Sequence, residues 1–187
     1  MKYCSNCGTP VTFLIPAGDT LPRHVCPNCN TIHYQNPKII VGALIESAGR
    51  ILLCRRAIEP RYNTWTLPAG FMENGEDTAT GAMRETWEEA CARIQIDGLY
   101  RLIDVPHINQ VHLIYRAHLL TPDFHPGAES LEVALFAETE IPWDNLAFRT
   151  NTAALHDYFE DRHANRPWPV RTLSLERPPA DQAALLP

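Results

Sequence analysis

Three glutamates within residues 84–89 have a spacing that suits the binding of a hard cation. In a helix, Glu85 and Glu89 would lie four residues apart on one face, and Glu88 would flank that face. Carboxylates placed side by side repel each other, and a cation bound between them removes that cost. Magnesium takes oxygen ligands and also binds phosphate oxygens. The spacing therefore predicts a site for Mg²⁺ (or Mn²⁺) that acts on a phosphorylated substrate.

The residues before these glutamates strengthen that interpretation. Gly70 and Glu76 lie upstream, and Arg84 directly precedes the acidic run. A guanidinium group can hold a carboxylate by paired hydrogen bonds, so we expect Arg84 to clamp Glu76 or Glu88. A bare Glu-x-x-Glu-Glu would more often be a solvated helix face. The upstream glycine, the position of Glu76 and the arginine disfavour that alternative here.

Four of the six cysteines form a second constellation near the amino terminus. They make two Cys-x-x-Cys pairs separated by eighteen residues: Cys4, Cys7, Cys26 and Cys29. Two such pairs supply the four soft ligands of a tetrahedral zinc ion, and four unrelated reduced cysteines are the alternative. Four thiolates leave no open position for water, so the predicted zinc is structural. The nearby His24 and His33 are expected to be surface side chains.

The elements that position these residues follow from the hydrophobic pattern. Apolar and alternating runs predict strands at residues 39–46, 51–54, 99–105, 111–119 and 131–136. Helices are predicted at 78–91 and 151–163, and residues 61–75 are predicted to be a loop. The first helix is expected to bury Ala79, Ala82, Met83 and Thr86, and the second Ala154, Leu155, Tyr158 and Phe159. The alternation in 111–119 predicts one buried and one solvated face. The Pro-rich tail from Arg166 is expected to be extended and to lie against the body through Trp168.

The composition is that of a globular protein with an acidic balance. The chain has 187 residues, 45% of them hydrophobic, and a formal net charge of −6. Its apolar runs are far shorter than the ~20 residues of a membrane span, and its first residues lack the apolar core of a signal peptide. A cytoplasmic protein without a membrane contact is therefore expected. Residues 1–38 carry only Lys2, Arg23 and Lys38 as permanent cations, which disfavours nucleic acid as a partner.

The stretch GFMENGEDTATGAMRETWEEACA, residues 70–92, resembles the Nudix box, whose pattern is G-x5-E-x7-R-E-U-x-E-E-x-G-U with U an aliphatic residue. The matching positions are Gly70, Glu76, Arg84, Glu85, Glu88 and Glu89. Three positions depart from the pattern: Thr86, Cys91 and Ala92. The four-cysteine segment followed by YQNPKII resembles the zinc ribbon and junction of NADH-pyrophosphatase-like members. The resemblance implies an α+β fold, a Nudix-type mixed-sheet α/β/α sandwich preceded by a small zinc ribbon. The implied divisions are residues 1–35 for the ribbon, 36–165 for the Nudix domain and 166–187 for the tail.

The resemblance also implies a hydrolase of nucleoside diphosphate derivatives. In the family, the counterparts of Glu85 and Glu89 bind a divalent cation directly, and the counterpart of Glu88 joins them or acts nearby. A backbone carbonyl beside the box glycine, here at Ala69 or Gly70, often completes the shell. The cation would lower the pKa of a bound water and neutralise charge on the pyrophosphate.

Other residues are candidates for the same site. By resemblance, Glu129 would be a further metal ligand, with Glu132 as the other candidate and exposed strand-edge carboxylates as the alternative. Arginines suit bidentate contacts with phosphate, so Arg55 and Arg56 are candidates for binding substrate, although a solvated strand end is an equal alternative. Aromatic side chains that could stack on a base are Trp65, Phe71 and Tyr62, each of which could instead pack in the core or a loop.

The substrate is the least determined part of the prediction. NADH-preferring members share a motif SQPWPFPxS after the box, and residues 91–110 contain nothing like it. ADP-ribose or FAD is therefore expected as the substrate, with AMP as a product. The alternatives are an NADH or NAD pyrophosphatase and a nucleotide-sensing regulator that binds nucleic acid. A homodimer is also expected, because related members commonly form symmetric dimers.

Overall fold

Contacts within the chain separate an amino-terminal unit, Met1–Pro37, from a larger unit that begins at Lys38. The computed structural model of the chain describes residues 1–177. Among these residues, neither helix is long and apolar enough to cross a membrane.

The amino-terminal unit contains a small antiparallel sheet. Its strands, in their order across the sheet, are β1 (Thr12–Leu14), β2 (Arg23–Val25) and β3 (Ile32–His33). Each Cys-x-x-Cys pair lies in a tight turn, in which the amide of Gly8 donates to the Cys4 carbonyl and that of Asn30 to the Cys26 carbonyl, both at 3.0 Å. Gly8 and Asn30 have φ values of 71° and 57°. Glycine and asparagine adopt this left-handed conformation more readily than other residues, so the two turns are encoded locally.

The larger unit is organised around a mixed sheet of eight strands within the described residues. In chain order the strands are β4 (Lys38–Ser47), β5 (Arg50–Arg56), β6 (Trp65–Thr66), β7 (Ala69–Phe71), β8 (Ile94–Val105), β9 (Gln110–Leu119), β10 (Ser130–Phe136) and β11 (Arg171–Ser174). The order across the sheet is β10-β5-β4-β9-β8-β11, with β6 paired to β5 and β7 to β4. The neighbours β4 and β9 are parallel, as are β8 and β11, and the other neighbours are antiparallel.

One helix packs on each face of this sheet. The helices are α1 (Thr78–Ala90) and α2 (Arg149–His163). In β4, Leu44 packs in a core with Leu155 of α2, whereas its neighbours Ala43 and Ile45 pack in a second core with Ala90 of α1. Successive strand residues point to opposite faces, so β4 contributes to both cores. The predicted fold class, an α/β/α sandwich with a mixed sheet, is confirmed.

Local signals fix both ends of α1. The Asp77 side chain accepts a hydrogen bond of 2.7 Å from the amide of Thr80 and caps the amino terminus. At the other end, Cys91 has a φ of 47° and its amide donates to the Trp87 carbonyl at 2.9 Å. Glycine occupies the Cys91 position in the box pattern, and this left-handed conformation gives the physical reason. The helix therefore ends at Ala90, one residue before the predicted end.

The structure also differs from the sequence prediction in several elements. The short strands β6 and β7 lie inside the predicted loop, and β8 begins at Ile94 rather than at residue 99. The predicted solvated face of 111–119 is wrong, because β9 lies inside the sheet and buries Ile114 on one face and Ala117 on the other. Met83 does not belong to the buried stripe, since it is 38% exposed.

The tail contacts the larger unit as far as it is described. The ring of Trp168 stacks on Tyr158 of α2 with centroids 5.0 Å apart, so the expected contact through Trp168 is present. Strand β11 was not predicted, and there Arg171 forms an ion pair with the fully buried Asp161. Residues 178–187, which the tail prediction also covers, lie outside the described residues.

Candidate active site

Arg84 organises the acidic residues of α1 and of the segment before it. Its guanidinium donates to Glu76 at 2.8 and 3.0 Å, to Glu85 at 2.8 Å and to Glu88 at 3.1 Å. It also donates to the backbone carbonyl of Phe71 at 3.1 Å. Hydrogen bonds from Arg84 lower the pKa of Glu76 to about 2, so that carboxylate is ionised at neutral pH. Arg84 thus ties the segment before α1 to the first two glutamates of the predicted set.

Glu85 and Glu89 lie side by side on the buried face of α1. Glu85 is only 9% exposed and Glu89 only 6%. Burial raises the pKa of both, and for Glu89 burial and the neighbouring charge of Glu85 raise it to about 8. Glu89 also carries a buried oxygen, Oε2, that has no hydrogen-bond partner among residues 1–177. Burying an unpaired carboxylate oxygen is costly unless another group compensates it.

Strand β7 passes directly against these carboxylates. A β-carbon built on Gly70 would lie 2.3 Å from Oε2 of Glu85. Real side chains do not approach so closely, so a larger residue at this position would displace the Glu85 carboxylate. Ala69 and Gly70 therefore present their main chain beside the carboxylate pair, where the sequence prediction placed a backbone ligand.

The loop before β10 brings Glu129 into the electrostatic range of the same pair. The negative charge of Glu129 contributes to the raised pKa of both Glu85 and Glu89. The loop is fixed because the amides of His125 and Gly127 donate to the Ala90 and Glu89 carbonyls at 2.9 and 3.0 Å. These bonds satisfy carbonyls at the end of α1 that have no partner inside the helix.

Gly127 is a functional position that the sequence did not reveal. A β-carbon on Gly127 would lie 1.7 Å from the backbone carbonyl oxygen of Glu88. A larger residue would therefore push the loop, and Glu129 with it, away from α1. The signal in the sequence is a single glycine in a loop, which could not be linked to α1 before the fold was known.

The carboxylate set fits a divalent cation. Glu85 and Glu89 offer adjacent oxygens, one of them unpaired, and Glu129 adds a third negative charge nearby. An all-oxygen set of this kind suits Mg²⁺ or Mn²⁺ rather than softer metals. A bound cation would also offset the repulsion and burial that raise the Glu89 pKa. Glu88 differs from the other two, because its side chain is 54% exposed and paired with Arg84.

We expect the stability of the magnesium-free protein to fall as the pH rises from about 4.3 to about 8. The folded state holds the Glu89 proton up to about pH 8, whereas the unfolded chain releases it near the ordinary glutamate value of about 4.3. The stabilising contribution is therefore complete below the unfolded pKa and is lost through the folded one, at no more than about 1.4 kcal/mol per pH unit. Thermal melts of the wild type and of Glu89→Gln at several pH values measure this contribution. The other titrating groups are the same in both proteins, so the difference between the two profiles comes from Glu89. Superimposable profiles would contradict the assignment.

A pocket of about 490 Å³ opens beside the carboxylates. Ala69 and Gly70 line it, as do Arg56 and Phe71. Arg56 donates to the Pro60 carbonyl at 2.9 Å, and its charge lowers the Glu89 pKa. Phe71 is 49% exposed, so one ring face is free for contact. Two of the predicted substrate-binding residues, Arg56 and Phe71, thus line one pocket together with Gly70, which lies against Glu85.

The other predicted contacts lie outside the pocket lining. Arg55 pairs with Glu132 at 2.9 Å across the β5–β10 register, so neither of these two side chains joins the carboxylate set. Trp65 is 8% exposed and packs edge-on against Phe136 in the core. Tyr62 is exposed but does not line the pocket. Trp65 is buried because it lies in strand β6. This strand has only two residues, so the sequence pattern could not predict it.

The four cysteines of the amino-terminal unit form a compact sulfur cluster. All four Sγ atoms lie within 4.8 Å of one another, with Cys4–Cys29 at 3.6 Å and Cys7–Cys26 at 3.5 Å. These distances are too long for disulfides. Four sulfurs at about 2.3 Å from a tetrahedral zinc ion would lie about 3.8 Å apart, so the cluster fits such an ion.

His33 corrects one sequence expectation. It was expected at the surface, but it is only 9% exposed, and its Nε2 lies 3.3 Å from Sγ of Cys4. Its position in β3 places it beside Cys4 of the first cysteine pair. The two residues are far apart in the sequence, so this contact could not be predicted from it. With its proton on Nε2, His33 would donate to the Cys4 sulfur and orient it for a metal ion.

Comparison with known proteins identifies the family. The family model described as the NUDIX domain matches residues 36–154, and the one described as Nudix N-terminal, a zinc ribbon, matches residues 2–35. The chain belongs to the Nudix family. Its carboxylates on α1, the Arg84 clamp and the glycine of β7 are the Nudix box in three dimensions.

Three relatives of this Nudix protein illustrate the likeness. The crystal structure of a Nudix hydrolase from Nitrosomonas europaea is 54% identical with a TM-score of 0.91, over 95% of this chain and 100% of that one. The NAD-capped RNA hydrolase NudC of Chromobacterium violaceum is 33% identical over 94 residues, 50% of this chain and 34% of that protein. The ADP-ribose pyrophosphatase of Methanocaldococcus jannaschii is 26% identical over 121 residues, 62% of this chain and 69% of that protein. The match therefore spans about a third of the NudC relative.

Proposed function

We propose that this Nudix protein hydrolyses the pyrophosphate bond of a nucleoside diphosphate derivative, ADP-ribose or FAD, and releases AMP. The observation that carries the proposal is the buried pair of Glu85 and Glu89, with an unpaired oxygen, where Glu85 lies against Gly70 and Gly70 lines a 490 Å³ pocket. A divalent cation held there, Mg²⁺ or Mn²⁺, supplies charge neutralisation and a more acidic water. Water adds to one phosphorus, the bridging P–O bond breaks, and two monophosphates leave.

The residues of the chain have distinct roles in this proposal. Glu85 and Glu89 hold the cation, aided by Glu129 and by the main chain of Ala69 or Gly70. Arg84 is a positioning residue, because its hydrogen bonds fix the direction of the Glu85 and Glu88 carboxylates. Glu88, which is half-exposed, joins them or accepts a proton from water nearby.

The substrate side of the pocket also has assigned residues. Arg56 reaches both the electrostatic field of Glu89 and the pocket, so it is placed to bind a phosphate of the substrate. Phe71 lines the pocket and offers a half-exposed ring on which a substrate ring can stack. Arg55 and Trp65, which are also among the predicted contacts, hold these elements in place through Glu132 and Phe136.

Two observations support the choice of substrate. A relative described as an ADP-ribose pyrophosphatase shares the domain, and the motif of NADH-preferring members is missing after the box. Another relative is described as an NAD-capped RNA hydrolase, so NADH is included in the test as a competing substrate. A nucleotide-sensing regulator is disfavoured because every box glutamate is present.

The proposal includes four further parts. Residues 1–35 are a ribbon that holds structural Zn²⁺ through Cys4, Cys7, Cys26 and Cys29, residues 36–165 are the hydrolase domain, and 166–187 are a tail. The protein acts in the cytoplasm on small nucleotides, without a nucleic-acid partner. It works as a homodimer, the commonest closed oligomer.

We expect one of ADP-ribose and FAD to give AMP and a second monophosphate, faster than NADH is cleaved. Each compound is incubated with the protein and magnesium, and the products are separated by chromatography. AMP serves as the control substrate and should remain intact, because it lacks a pyrophosphate bond. If none of ADP-ribose, FAD and NADH is cleaved, the proposal is contradicted. Release of phosphate from AMP would also contradict it.

A further inference from the structure

The lining of the 490 Å³ pocket is suited to an uncharged ring. Apolar walls come from Ile40, Val105, Ile108, Ile114 and Phe148. Burial lowers the pKa of His112, which also lines the pocket, to about 4, so its imidazole is neutral at pH 7. Small-molecule pockets of this kind take an apolar or aromatic group and orient it with a few polar atoms.

Asn151, in the first turn of α2, is one of those polar groups, and its amide has a fixed orientation. Its Nδ2 donates to Oγ1 of Thr66 at 2.8 Å. The Thr66 hydroxyl in turn donates its own proton to the Leu67 carbonyl at 2.9 Å, so Thr66 can only accept from Asn151. The hydrogen-bond network therefore assigns the nitrogen of the amide to Thr66 and the oxygen to the other side.

The Asn151 oxygen is then a fixed acceptor in the pocket lining. Asn151 is only 4% exposed and lines the pocket. Its Oδ1 accepts no hydrogen bond from residues 1–177, although the neighbouring nitrogen is paired. A ligand in the pocket that supplies an N–H can therefore donate to this oxygen.

Gln110 adds a donor to the same lining. Its Oε1 lies 3.1 Å from Nε2 of His112, and the neutral tautomer that carries its proton on Nε2 donates to this oxygen. The oxygen of the Gln110 amide is thereby occupied, which leaves its N–H₂ group as a donor. The pocket thus combines one oriented acceptor and one oriented donor between apolar walls.

We propose that this pocket holds the base of the substrate and that Asn151 selects a base with an exocyclic amino group. The inference rests on the proposed function, in whose substrates that base is adenine. The adenine 6-amino group donates to Oδ1 of Asn151, and Gln110 donates to a ring nitrogen. Hypoxanthine carries a carbonyl oxygen at the same position, and two acceptors facing each other repel. Asn151 is therefore a specificity-determining residue, and the diphosphate lies toward Arg56 and Gly70.

The test compares kcat/KM for ADP-ribose with that for its deaminated analogue, inosine diphosphate ribose. We expect the wild type to prefer ADP-ribose by roughly 10- to 100-fold, the range of one well-made base contact. Asn151→Ala should lose that preference, mainly through a higher KM for ADP-ribose, whereas Asn151→Asp keeps an acceptor and should retain a preference. Thr152→Ala, the next residue of the same helix and outside the pocket lining, should leave the ratio unchanged.

The outcomes separate this inference from the function on which it rests. Equal rates for both compounds in the wild type, or an unchanged ratio in Asn151→Ala, would overturn the role of Asn151 and leave the hydrolase intact. No hydrolysis of either compound would overturn both. If melting shows that Asn151→Ala is unfolded, Thr66→Val decides the question. That change removes only the hydroxyl that orients the amide, and an unchanged ratio would again overturn the inference.

Discussion

Glu89→Gln is expected to lower turnover by roughly 10²- to 10⁴-fold while the protein stays folded. The neutral amide keeps the size of the side chain but removes half of the buried carboxylate pair that holds the cation. Metal-ion catalysis supplies several kcal/mol of transition-state stabilisation, and each 1.36 kcal/mol is a factor of ten in rate. Because burial and repulsion from Glu85 raise the pKa of Glu89, the variant should melt no lower than the magnesium-free wild type at pH 8.

The matched control for this variant is Glu73→Gln. Glu73 lies in the same box segment and undergoes the same chemical change, but it is exposed and its carboxylate makes no ion pair in the described part of the chain. Its kcat should stay within about twofold of the wild type, as surface substitutions have small effects. Near-normal turnover in Glu89→Gln, or an equal loss in Glu73→Gln, would refute the assignment of the α1 carboxylates.

Cys26→Ser is expected to abolish zinc binding and to unfold the segment 1–37. Cys26 is fully buried, and its Sγ lies 3.5 Å from that of Cys7. The largest apolar side chains of the segment are exposed, Phe13 by 61% and Ile15 by 58%. Metal binding must therefore supply most of its folding free energy, and structural zinc contributes about 10–16 kcal/mol in small zinc-finger peptides. Elemental analysis should find one zinc per chain in the wild type and none in the variant.

Cys91→Ser provides the comparison for the zinc experiment. Cys91 ends α1 in the larger unit and should not affect the zinc content. Limited proteolysis should cleave Cys26→Ser within residues 1–37 and spare both Cys91→Ser and the wild type. A wild-type protein purified without chelator that contains no zinc would overturn this account of the ribbon.

The sequence predicted the parts of the site that are local in the chain. Glu85, Glu88 and Glu89 share one helix with Arg84, so the helical period alone brings them together. The cysteine pairs are likewise local turns, and their pairing follows from the preference of zinc for four thiolates. The two long helices and the longer strands carry enough periodic signal to be located to within about two residues, except for the start of β8.

The parts that the sequence did not predict depend on contacts between distant segments. His33 reaches Cys4 only through the pairing of β2 and β3, and Asn151 reaches Thr66 across 85 residues. Gly127 is required because its loop packs on the end of α1. Strands of two or three residues, such as β6, have no measurable period, so Trp65 could not be assigned to the core beforehand.

The central claim is that the α1 carboxylates make the protein a cation-dependent pyrophosphate hydrolase. The most direct test is the rate of AMP release from ADP-ribose and from FAD by one preparation with increasing Mg²⁺, with and without excess EDTA. We predict saturable AMP release with Mg²⁺ from at least one of the two compounds, none with EDTA, and full recovery when Mg²⁺ is restored. AMP release at the same rate in excess EDTA, or no AMP at any Mg²⁺ concentration, would contradict the claim.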